Sequence, residues 1–94
     1  MIVVRNSFIA KPGNASKLAA QMKDALQSSN LKKYRILTDI TGDMNRVVLE
    51  YEAENIAEFE ASMKDYQTNE ALRAKMKGYT DLYITGYREV FQIN

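Results

Sequence analysis

The chain reads as an α+β sandwich, one antiparallel sheet of four strands with two helices on a single face. Three observations predict it. Segments dense in β-branched and aromatic residues alternate with segments whose apolar residues recur every three or four positions, in the order β-α-β-β-α-β. The two middle strands are joined by a short Gly-containing connection, which makes them an antiparallel hairpin. The length of 94 residues allows one domain, spanning residues 1–94, and no second one.

Ile2 to Ala10 (IVVRNSFIA) is the first strand, ended by the chain-turning cluster Lys11-Pro12-Gly13. Asn14 is placed to cap a helix in which Ala15, Leu18, Ala19, Met22 and Leu26 form one buried stripe; Ser28-Ser29-Asn30 ends it. Tyr34 to Ile40 is the second strand, Thr41 to Asn45 the hairpin connection, and Arg46 to Glu52 (RVVLEYE) the returning strand. Asn55 starts a second helix, with Glu58 completing a capping-box-like pair and Ile56, Phe59, Met63 and Tyr66 as its stripe. Asn69 restarts the helix after a break, Leu72, Met76 and Tyr79 continue the stripe, and Gly78 is a left-handed terminator. Leu82 to Ile93 (LYITGYREVFQI) is the last strand. Right-handed strand-helix-strand units of this kind interleave into a ferredoxin-like sheet of order 4-1-3-2.

The strands are apolar on both sides. Ile2, Val4 and Phe8 lie opposite Val3 and Ile9; Val47, Leu49 and Tyr51 lie opposite Val48; Tyr83, Tyr87, Phe91 and Ile93 lie opposite Leu82, Ile84 and Val90. Two helices cover only one face, and the other is left with an apolar patch larger than soluble monomers usually carry. A second copy packed sheet to sheet is the economical cover, so a homodimer through the face opposite the helices is expected. Arg5, Ser7 and Glu50 share that face, Arg5 is expected to pair with Glu50, and Arg88 is a candidate to join them.

This pattern resembles the dimeric α/β-barrel superfamily, which includes antibiotic-biosynthesis monooxygenase-like, heme-degrading and NIPSNAP-like proteins. The resemblance covers essentially the whole chain. It rests on the first strand running into Lys11-Pro12-Gly13, on Val47-Val48-Leu49-Glu50-Tyr51 followed by a helix containing Ala57, Glu58 and Phe59, and on Gly86-Tyr87-Arg88-Glu89-Val90. It implies a barrel formed by two sheets, with a pocket between each sheet and its helices. Asn6, seven residues before Gly13, matches an Asn of the heme-degrading members; Tyr51 stands near their Trp, and Met76 where they carry the heme-ligating His. The chain has no His and no Trp, so no heme, metal or other cofactor is expected. The resemblance casts Asn6 and Tyr51 as candidate catalytic residues, with Phe8, Tyr66, Tyr83 and Met76 as candidate contacts for a substrate.

Other chemistries fail on inventory. Without Cys there is no disulfide framework, thiol nucleophile or thiolate metal site, and without His no Ser triad. The four Gly are scattered and open no phosphate loop. Thirteen Lys plus Arg against twelve Asp plus Glu, dispersed, and no aromatic RNA-binding motif argue against nucleic acid. No apolar run approaches the ~20 residues of a membrane span, and the N-terminus lacks a signal pattern, so a soluble cytoplasmic protein is expected. Two functions fit: a homodimeric barrel protein of unassigned biochemical role binding a small apolar or aromatic metabolite, or a cofactor-independent monooxygenase acting on an aromatic substrate.

Overall fold

Strand formation starts from β-branched density. Ile2, Val3, Val4 and Ile9 in β1 (Ile2–Ala10) and Val47 and Val48 in β3 (Arg46–Ala53) favour a pleated backbone, and the two strands pair antiparallel, with Val4 opposite Tyr51 and Asn6 opposite Leu49. A computed structural model, describing residues 1–94, adds α1 (Ala15–Leu26), β2 (Tyr34–Thr38), α2 (Ile56–Thr68), α3 (Glu70–Lys75), a 3₁₀ turn (Tyr79–Leu82) and β4 (Tyr83–Gln92). The sheet runs β2-β3-β1-β4, which is the expected order counted from its other edge, and the fold is ferredoxin-like α+β. No helix is long and apolar enough to cross a membrane.

Local chemistry sets the helix ends. The Asn55 side chain accepts from the Glu58 N–H at 3.0 Å and caps α2. Asn69 repeats the device, accepting from the Leu72 N–H at 3.1 Å, and so divides the second helical segment into α2 and α3. Asn14 departs from expectation. Its backbone is helical (φ −106°, ψ 0°) rather than extended, so its side chain makes no cap, and only its carbonyl accepts, from the Leu18 N–H at 2.9 Å. β2 stops at Thr38, short of Ile40: the Asp39 carboxylate takes the Arg46 N–H at 2.9 Å, and Ile40 is wholly exposed in the connection.

The core lies between the sheet and α1. Val4, Val47 and Leu49 meet Leu18, Met22 and Ala25, and Leu72 and Met76 of α3 close one side. α2 contributes no buried residue. Ile56, expected in its stripe, is 52% exposed, while Phe59, Met63 and Tyr66 are half-buried, so α2 stands off the sheet. A helix held away from its sheet leaves space beneath it.

β4 differs from a simple alternation. Ile9 pairs with Thr85 but Ala10 with Tyr83, which leaves Ile84 as an extra residue, a β-bulge. Tyr83 is therefore on the helix side with Phe8, while Tyr87 and Phe91 face the other way beside Ser7 and Val3. The expectation that Tyr83, Tyr87 and Phe91 share a face is corrected by this one residue.

The face opposite the helices is apolar but crossed by charge. Glu50, 8% exposed, accepts from Arg5 Nε and Nη2 at 3.0 and 2.8 Å on one oxygen and from Arg35 Nε at 2.7 Å on the other. Arg5 also lies over the Phe91 ring, 5.2 Å from its centroid. Arg46 donates to Ser7 Oγ at 3.2 Å and to the Tyr87 hydroxyl at 2.9 Å. The Arg5–Glu50 pairing is as expected; Arg35 is the partner that sequence reading left out.

Candidate functional site

The space under α2 is a cavity of about 160 Å³ between the sheet, α1, α2 and α3. Its floor is the helix side of β1, β3 and β4: Asn6, Phe8, Leu49, Tyr51 and Arg88. Met22 and Leu26 of α1, Met63 and Tyr66 of α2, and Leu72 and Met76 of α3 supply walls. Register explains why these residues converge. Asn6 lies opposite Leu49 on one side and Arg88 on the other, and Tyr51 follows Leu49 by two residues on the same face.

Five of the candidates read from sequence line this one cavity: Asn6, Tyr51, Phe8, Tyr66 and Met76. Tyr83 does not. It packs on Phe8 and Tyr79, with ring centroids 5.0 and 5.7 Å away, and supports the Phe8 wall from behind.

Arg88 occupies a different place from the one expected. It sits on the helix side, not with Arg5 and Glu50, because its register partner is Asn6. Arg88 Nε donates to Asn6 Oδ1 at 2.7 Å, and its guanidinium lies 5.7 Å from the Phe59 ring centroid. A signal was present in the sequence: an isolated Gly inside a strand marks a bulge or a close approach. Gly86 stands next to that bulge, and a Cβ there would lie 2.9 Å from the Phe8 ring and 3.0 Å from the Ser7 carbonyl oxygen.

Electrostatics define what the groups can do. Burial raises the Tyr51 hydroxyl above the ordinary tyrosine value, against the opposing pull of the Arg88 charge. Burial, helped by the adjacent Tyr66 hydroxyl, pushes Tyr79 up to about 12. Both hydroxyls are protonated at neutral pH and act as hydrogen-bond donors, not as bases. The Asn6 carbonyl oxygen is taken by Arg88, which leaves its amide group to donate inward. Asp65, the one carboxylate of the lining, accepts from the Asn30 N–H at 3.1 Å and from Asn69 Nδ2 at 3.4 Å. No group of three or more His, Cys, Asp or Glu side chains is placed to hold a metal ion. The arrangement is an apolar chamber with hydrogen-bond donors and one cation at its sheet side.

A fold of this kind is found among solved structures. An uncharacterized NIPSNAP domain protein from Burkholderia xenovorans superposes with a TM-score of 0.83 at 13% identity, covering 100% of this chain and 95% of that one. A NIPSNAP family protein from Agrobacterium tumefaciens gives 0.86 at 10% identity, over 99% and 92% of the two chains. A putative antibiotic biosynthesis monooxygenase from Chloroflexus aurantiacus gives 0.70 at 12% identity, over 99% and 93%. These are the groups the sequence resembles, and at such identities the likeness is one of fold. No family model matches the sequence, and no curated protein matches it.

Proposed function

We propose that residues 1–94 form one subunit of a homodimeric α/β barrel that binds a small apolar or aromatic metabolite between its sheet and helices. The cavity carries this reading: about 160 Å³, walled largely by Leu, Met and aromatic side chains, with a few polar groups converging on one side. An apolar space of about 150 Å³ accepts benzene, so one aromatic ring fits. The donors can orient a ligand oxygen, and the one carboxylate of the lining, Asp65, is already held by Asn30 and Asn69.

The dimer rests on the opposite face. Tyr87 and Phe91 remain 50% and 41% exposed there, beside Val3, Ile9 and Val48, and a second copy would bury them. Light scattering at micromolar concentration should give twice the chain mass.

Ligand binding is tested by saturation-transfer NMR with benzyl alcohol. Transfer to the probe is expected for the wild type, and its loss in a Met63→Trp variant that retains the native fold, because the indole would fill the chamber. Unchanged transfer in that variant would move the ligand elsewhere.

A second reading, a cofactor-independent monooxygenase of the antibiotic-biosynthesis type acting on an aromatic substrate, is favoured by the shared position of Asn6 and Tyr51 in the chamber. It requires oxygen uptake with a single-ring dihydroxybenzene that falls in Asn6→Ala and Tyr51→Phe.

A further inference from the structure

Each strand of the sheet carries one arginine: Arg5, Arg35, Arg46 and Arg88. Arg5 and Arg35 pair with Glu50, and Arg46 lies within 4.0 Å of Asp43. Arg88 has no carboxylate partner. Its single protein hydrogen bond goes through Nε to Asn6, and its two terminal nitrogens have no protein acceptor. The neighbours fix it rather than neutralise it. Asn6 holds one edge at 2.7 Å, and the Phe59 ring lies 5.7 Å from Cζ. Its charge is felt inside the chamber, where it opposes the upward shift of both Tyr51 and Tyr79. The Asp65 carboxylate, the other charge of the lining, is engaged by Asn30 and Asn69.

A guanidinium carries five N–H donors in a planar fork that matches a carboxylate with two parallel hydrogen bonds. Here the fork is pre-oriented, exposed, and set beside an apolar space of single-ring size. We propose that the chamber takes an aromatic carboxylate, its ring among Leu49, Leu72 and Met76 and its carboxylate on the terminal nitrogens of Arg88. Asn6 is then a positioning residue for Arg88, and its amide N–H group is free to meet the same carboxylate. This inference rests on the small-molecule reading above and adds the charge of the ligand to it.

The experiment compares benzoate with benzyl alcohol, a neutral probe of similar size, on wild-type protein and on Arg88→Gln and Arg88→Lys. Arg88 is exposed, so the substitutions leave the core packing intact; native melting is checked for each. Affinities come from NMR titration, and the terminal guanidinium N–H resonances of Arg88 report contact directly. Wild-type protein is expected to prefer benzoate, with the Arg88 resonances shifting on titration. Arg88→Gln should weaken benzoate by about tenfold to a hundredfold and benzyl alcohol by much less, because a hydroxyl loses one neutral hydrogen bond where the carboxylate loses its counter-charge. Arg88→Lys should restore part of the loss, because it keeps the charge and loses the fork. Equal binding of the two probes by the wild type, or no effect of Arg88→Gln on benzoate, would overturn the inference while leaving the cavity reading standing. Failure of both probes to bind would overturn the two together.

Discussion

Glu50→Gln tests the charged centre of the open sheet face. In the native protein one oxygen of Glu50 serves Arg5 and the other serves Arg35, so both sides of the carboxylate are used. Glutamine keeps one acceptor and turns the other position into an N–H group that faces a guanidinium. The Arg35 side chain is 68% exposed and its arm contributes little, about 0.5 kcal/mol. The Arg5 side chain is 38% exposed, and solvent screening reduces its arm to roughly 1 kcal/mol. An isolated subunit should therefore lose roughly 1–2 kcal/mol at neutral pH, or about 5–15 °C in Tm. With the face covered by a second copy the screening disappears, and the loss should rise to about 3–5 kcal/mol per subunit. The two arginines hold the Glu50 carboxyl below the ordinary glutamate value. A depressed carboxylate contributes stability above its unfolded pKa and loses it as pH falls through the folded pKa. Urea unfolding of the two proteins should thus differ at pH 7, and the difference should shrink as pH falls below the ordinary glutamate value of 4.5 and through the depressed folded value. A difference that persists unchanged at acid pH, or none at neutral pH, would refute the assignment of the carboxylate to this cluster.

Three further outcomes are expected. Gly86→Ala should destabilise by about 1–3 kcal/mol in thermal melts, because the new methyl presses on the Phe8 ring at 2.9 Å and on the Ser7 carbonyl at 3.0 Å, and it should weaken benzyl alcohol binding through the displaced Phe8. Stability should fall as pH rises from the unfolded tyrosine value of 10.0 toward about 12, since folded Tyr79 keeps its proton while the unfolded side chain ionises; Tyr79→Phe should reduce that slope in alkaline denaturation. Val3→Glu should split the dimer in sedimentation experiments, since it puts a carboxylate between Glu52 and Phe91 on the open face, and a variant that stays dimeric would place the interface elsewhere.

Periodicity and turn chemistry made most of the fold legible. The stripe of Leu18, Met22 and Leu26 and the caps at Asn55 and Asn69 sit where local chemistry puts them. β1 and α1 could be bounded because Lys11-Pro12-Gly13 and Ser28-Ser29-Asn30 interrupt one period and start the next. The sheet order follows from the handedness of the crossovers. What local patterns do not encode is the fit between distant elements. The bulge at Ile84 depends on how β4 meets β1 and puts Tyr83 on the helix side, while the register of β4 on β1 sets Arg88 opposite Asn6. The position of α2 depends on packing along its whole length, so Ile56 looks like a core residue and is not one. The candidate site was half legible for the same reason. Asn6, Phe8 and Tyr51 follow from strand alternation, whereas Arg88 requires the register of a bulged edge strand.

The most direct measurement is an isotope-filtered NOE spectrum of labelled protein with unlabelled benzyl alcohol, read for which side chains the ring protons touch. Binding between sheet and helices predicts contacts to Tyr51, Phe8 and the Leu72 methyls. Contacts confined to Val3, Val48 and Phe91 on the opposite face, or none at all, would contradict it.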